Sequence, residues 1–178
     1  MDYWNRLGWV DPYSQKSFSH RQRRYAQVLK DRRVYTPEMV VNGKDGFVGS
    51  DHQRAKHRIA QALRDTIDIY LDLAIQSDDH DVRLQVVYRL DVVPENAMLN
   101  VALVEKLAQV HVPRGENAGR NLLHHHVVRE FVTIKADTVG VVRLKIPDGL
   151  EREKVDIIGF VQDKVSMSIL AANIVGQE

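Results

Sequence analysis

The sequence predicts an α+β chain in two parts. Residues 1–76 read as mixed helix and strand, residues 77–81 as a linker, and residues 82–178 as an all-β, sandwich-like part. Three observations carry this division. Apolar residues recur at spacings of three and four as far as Ala74, and beyond residue 82 they alternate with polar ones. Between the two patterns lies the polar, turn-favouring run "QSDDHD" at 76–81. A chain of 178 residues is long enough for two small domains.

After an aromatic opening, "SFSHRQRRYAQVLKDRR" predicts a helix over 17–30, with Ser17 or Ser19 as N-cap. Phe18, Tyr25 and Leu29 share one stripe, and the arginines read as its solvated faces. "MVVNGKDGFVG" reads as two short strands, because Asn-Gly and Asp-Gly favour tight hairpin turns. "SDHQ" at 50–53 matches a capping box that opens a second helix. Ile59, Leu63, Ile67, Tyr70, Leu71 and Ala74 predict that this helix runs to residue 76. In "VRLQVVYRL", Val82, Leu84, Val86, Tyr88 and Leu90 then alternate against Arg83, Gln85 and Arg89. Further strands are predicted at "MLNVALVEK", "AQVHV", "HVVREFVTI", "VGVVRLKI", "VDIIGFVQD" and "VSMSILAANIV".

Composition narrows the function classes. Twenty-five basic residues against 24 acidic ones leave a net charge of +1, which offers no electrostatic case for nucleic acid or an anionic membrane. No apolar stretch approaches a membrane-spanning length, and no basic-then-apolar signal peptide opens the chain, so it reads as cytoplasmic as written. The absence of cysteine excludes disulfides, zinc–thiolate sites and thiol catalysis by this polypeptide alone. No cofactor motif is present, and none is expected to bind.

Four candidate sites remain, each with a structural alternative. Tyr3, Trp4, Trp9 and Tyr13 place four large rings within thirteen residues, either walling a cleft or capping a core. "PRGENAGR" at 113–120 could hold an anion through Arg114 and Arg120, or close on itself with Glu116 paired to an arginine. His124, His125 and His126 invite a metal, yet in a strand only His124 and His126 share a face, and His111 would have to join them. Asp78, Asp79, His80 and Asp81 form the densest acidic cluster, which reads as a solvated linker.

"DYWNRLGWVDPYS", "RQRRYAQ", "RVYTPEMVVNG" and "FVGSD" resemble the thioredoxin-like part of a bacterial family known as domain of unknown function 1223. "VALVEK", "VPRGENAGRNLLHHHVVRE" and "GFVQD…ILAA" are similar to its C-terminal part. The resemblance implies an incomplete thioredoxin-like domain followed by the sandwich-like one. It implies a cis bond before Pro37 at the start of a strand, with Thr36 offering its N–H and C=O to an extended peptide. Tyr3, Trp4, Trp9, Tyr35, Thr36 and Pro37 are then the expected peptide-binding residues. Relatives are usually exported and carry a Cys-X-X-Cys motif in a segment that would lie upstream of Met1, so this chain is expected to be truncated. Without those strands it should self-associate or hold its first part loosely.

Three functions follow as expectations. One is the remainder of a thiol–disulfide oxidoreductase-related protein without its redox cysteines. Another is a non-catalytic module that binds a peptide or a protein partner. The third is metal or anion binding at the histidines or the 113–120 loop.

Overall fold

A computed structural model describes residues 1–31, 33–66, 68–76, 83–115 and 117–176. The chain opens with a 3-10 helix at Asp2–Leu7, followed by helix α1 (Lys16–Val28), strands β1 (Glu38–Val41) and β2 (Asp45–Val48), and helix α2 (His52–Ala62). Seven further strands complete it: β3 (Leu71–Gln76), β4 (Arg83–Leu90), β5 (Ala97–His111), β6 (Asn121–Lys135), β7 (Val139–Lys145), β8 (Val155–Asp163) and β9 (Ile169–Gly176). The molecule is thus mixed α and β, with most strands in antiparallel sheets. Among the described residues no helix is long and apolar enough to cross a membrane.

Two sheets face one another. β3-β4-β7 forms one and β6-β5-β8-β9 the other. Alternation along each strand sends Leu71, Leu73, Leu84, Val86, Val142 and Leu144 from the first sheet against Leu99, Val101, Leu103, Val155, Ile157 and Val161 from the second. The predicted strands at 98–106 and 108–112 are one continuous strand, because Leu107 between them pairs with His125 of β6.

The second helix is shorter than the sequence predicts. It is capped by Asp51, whose side chain accepts the Arg54 N–H at 3.0 Å, rather than by the Ser50–Gln53 box, and it ends at Ala62. Leu71, Leu73 and Ile75 then point inward from β3, while Asp72, Ala74 and Gln76 point out. Leu71 and Ala74 suit a helical stripe, but Leu71, Leu73 and Ile75 suit a strand equally well. Pairing with β4 and burial in the core select the strand. Ile67 and the proposed linker at 77–81 lie outside the described residues. The strands on either side of that linker form one antiparallel ladder, and β3 packs into the same core as β4.

The outer face of β6-β5-β8-β9 is covered by α1. Phe18 meets Phe131 edge-on, with centroids 6.4 Å apart, and the Arg21 guanidinium lies 5.3, 5.0 and 5.4 Å from the rings of Tyr25, Phe131 and Phe160. Arg21 also donates to Gln162 Oε1 at 2.6 Å, and the Gln162 amide donates to Tyr25 Oη at 2.8 Å. Neither Ser17 nor Ser19 caps this helix; Gln15 holds the N-cap position. Ser19 is turned inward, where its hydroxyl donates to Asp2 and ties the 3-10 helix to α1.

The β1–β2 hairpin turns at Asn42 and Gly43, both at positive φ (49° and 69°), as an Asn-Gly turn requires. Its tip rests on the connection between β8 and β9: Ile169 N–H donates to Asn42 O at 2.9 Å, and a Cβ on Gly43 would sit 1.9 Å from Met167 O. That connection is ordered by Asp163, whose Oδ1 accepts Val165 N–H, Ser166 N–H and Ser166 Oγ–H at 2.9, 2.6 and 2.9 Å. The Ser166 bonds, chiefly from its backbone, hold the Asp163 carboxyl below its ordinary value of 3.8. A depressed carboxylate stabilises the fold above the ordinary value, and that contribution is lost as pH falls through the lower folded one. The melting-temperature difference between wild type and Asp163→Asn should therefore shrink as pH drops below 3.8. A difference independent of pH would show that the ionised carboxylate contributes nothing.

Candidate functional site

Thr36 lies exposed in the coil between α1 and β1. The Trp4 indole N–H donates to its Oγ1 at 2.8 Å, and the Thr36–Pro37 peptide bond is cis. Pro37 O accepts Gly49 N–H at 2.8 Å, closing the base of the β1–β2 hairpin. Behind this segment, Gln22 of α1 is 5% exposed. Its amide nitrogen donates to Tyr35 O and Glu38 Oε2, both at 2.7 Å, while its carbonyl accepts the Tyr3 hydroxyl at 3.0 Å. One side chain thus fixes the 3-10 helix, the Tyr35 backbone and β1 relative to α1. Burial raises the Tyr3 pKa above 10.0 against the opposing Gln22 bond, so the phenol remains protonated and able to donate. Gln22 escapes a reading of the sequence by residue type, although it stands four residues after Phe18 and so lies on the inward stripe.

Two clefts meet at Thr36. The first, of about 770 Å³, is lined by Arg33, Val34, Tyr35, Thr36, Phe47 and Arg54 among others. The second, of about 410 Å³, is lined by Trp4, Leu7, Trp9, Thr36, Val112 and Arg114 with their neighbours. Of the expected peptide-binding residues, Trp4, Trp9, Tyr35 and Thr36 line these clefts. Tyr3 and Pro37 do not; they brace the frame through Gln22 and Gly49. Burial, with Glu38 and Asp31 nearby, raises the Tyr35 pKa and keeps that phenol neutral.

Arg114 and Arg120 are separated in use. Arg114 lines the second cleft, whereas Arg120 is absent from its lining. The loop backbone closes on itself, with Val112 N–H donating to Arg120 O at 2.9 Å and Gly119 N–H to Val112 O at 2.7 Å. Glu116 lies outside the described residues.

The histidines are dispersed on β6. His124 meets the Tyr13 ring at 6.4 Å, and His126 Nε2 lies 3.3 Å from Asp156, which Lys106 also approaches at 3.5 Å. His111 Nδ1 lies 2.9 Å from the Asn121 side-chain oxygen. Among the described residues no group of three His, Cys, Asp or Glu side chains could hold a metal ion. The acidic cluster at 78–81 lies outside the described residues. Tyr13, last of the four opening rings, packs under the Arg129 guanidinium at 5.1 Å.

Comparison with known proteins places this geometry. The chain superposes over its whole length on 78% of the crystal structure of protein AGR_C_4864 from Agrobacterium tumefaciens, with a TM-score of 0.72 and 21% identity. That likeness is one of fold. A domain of the outer membrane lipoprotein Omp28 from Porphyromonas gingivalis is 15% identical over 63% of this chain and 89% of that one, with a TM-score of 0.35. No curated protein matches the sequence. The profile of one family, described as protein of unknown function (DUF1223), matches residues 1–162. The chain therefore belongs to the DUF1223 family.

Proposed function

We propose that this chain is a binding module that receives an extended peptide segment along Thr36. In this reading the N-terminal part is thioredoxin-like and Thr36 forms the wall of its peptide cleft. The division into two parts is then drawn within residues 63–70, since β3 already pairs with β4. The observation that carries the reading is the state of Thr36. Its hydroxyl is held by Trp4, it lines two clefts, and its backbone N–H and C=O have no partner among the described residues. An extended chain satisfies such a pair of groups as an added strand does, with neighbouring clefts taking its side chains.

The sequence favours binding over catalysis here. With no cysteine, the chain cannot itself exchange a disulfide, so an oxidoreductase reading assigns it only the positioning of a substrate.

Randomised octapeptides displayed on phage and selected on the immobilised chain test the proposal. Trp4→Ala removes both the hydrogen bond to Thr36 and one aromatic wall, and should weaken the selected peptides about tenfold or more. Leu107→Ala, on the exposed outer end of β5, should leave them unchanged. Peptides insensitive to Trp4→Ala would place the occupant elsewhere and contradict the reading.

A further inference from the structure

We infer that the cleft between Trp4, Trp9 and Arg114 selects an acidic segment, seating an apolar or aromatic side chain on the rings and its neighbouring carboxylate on Arg114. The inference rests on the reading of Thr36 as the peptide-binding wall and specifies what that wall receives.

Two properties of the cleft carry it. Its walls are apolar: Trp4, Leu7, Trp9 and Val112 line it, and Trp4 and Leu7 are left 45% and 60% exposed. Its volume of about 410 Å³ lies within the range of pockets that enclose small ligands and side chains. An apolar side chain placed there would remove exposed ring and leucine surface from water.

Its unspent charge is positive. The Arg114 guanidinium makes no ion pair or hydrogen bond among the described residues. The acid of the same cleft, Asp11, is already committed: Oδ1 accepts Tyr13 N–H at 2.9 Å, and Oδ2 lies 3.9 Å from the Met1 amine. Arg54 of the adjoining cleft already has an acid, sharing Asp45 with Arg58. Arg114 is presented from a loop whose ends are already tied together by Val112, Gly119 and Arg120, so little order need be gained when a carboxylate binds. In the other cleft that Thr36 lines, Arg33 has no ion pair among the described residues, and Asp31 beside it accepts the Arg33 backbone N–H. A segment along Thr36 would meet Arg114 in one cleft and Arg33 in the other, and carboxylates are the groups that guanidinium forks hold best.

The test uses randomised octapeptides displayed on phage, selected in parallel on the wild-type chain and on its Arg114→Ala, Arg114→Lys and Trp4→Ala variants. Wild type should enrich Asp or Glu beside an apolar or aromatic residue. On Arg114→Ala the acidic preference should fall about tenfold while the apolar preference stays, and Arg114→Lys should restore part of it. Both tryptophans of the chain line this cleft, so their emission reports occupancy by each selected peptide without a label. Peptides that lack an acidic preference, or keep it on Arg114→Ala, would overturn the inference. If those peptides are still lost on Trp4→Ala, the Thr36 groove itself stands. No enrichment on wild type would overturn both.

Discussion

Arg21→Ala is expected to destabilise the protein by about 2–4 kcal/mol and to release α1 from the sandwich. The guanidinium sits about equally far from three rings, two of them on the four-stranded sheet, and it donates to Gln162 and Tyr25 at 2.6 and 3.1 Å. Cation–π contacts contribute from about 0.5 kcal/mol to about 2 kcal/mol when desolvated. Gln162 is 3% exposed, and without Arg21 its carbonyl retains, among the described residues, only Asn100 Nδ2 at 3.4 Å. An abandoned buried acceptor costs about 1–3 kcal/mol more. Urea denaturation would read the loss as a lower midpoint. Because Gln22 on the same helix holds Tyr35 and Glu38, the variant should also lose peptide binding. A stability change below about 0.5 kcal/mol would show that α1 is held by other contacts.

Leu71→Ala is expected to cost about 2–4 kcal/mol, whereas Leu63→Ala should stay within about 0.5 kcal/mol of wild type. Leu71 is 3% exposed and faces the sandwich core, where truncation leaves a cavity. Leu63 is 81% exposed at the end of α2. In a helix continued to residue 76, the two leucines would lie eight residues apart on one face and respond alike. Equal costs for the two variants would restore that longer helix and remove β3 from the sheet.

The region around β3 shows where sequence reasoning stops. Strands β4, β7 and β8 are legible because each alternates over a buried and an open face, which no helix reproduces. "YLDLAIQ" supports both periods, and only pairing with β4 decides between them. The arginines of α1 read as solvated, yet Arg21 stands three residues from Phe18 and four from Tyr25 on the inward stripe. Its planar head covers rings that become its neighbours only when β6 and β8 are assembled.

The candidate site was legible in its pieces and hidden in its assembly. Within the aromatic opening, Trp4 and Trp9 line a cleft, while the Tyr3 hydroxyl donates to Gln22 and Tyr13 packs under Arg129. Arg114 reaches the same cleft from a loop more than a hundred residues away in sequence. No spacing rule connects those segments; the docking of α1 on the outer sheet face does. The face belongs to the four-stranded sheet, through Phe131 of β6 and Gln162 of β8. It gives α1 the packing surface that strands of its own part were expected to supply.

The backbone amide of Thr36 gives the most direct test of the binding groove. In a heteronuclear NMR titration of the labelled chain with a selected peptide, the Thr36 amide should shift and its hydrogen exchange should slow. The Trp4 and Trp9 indole signals should move with it, while the amides of β4 and β7 stay in place. An unchanged Thr36 amide, with perturbations gathered on β4 and β7 instead, would contradict the groove.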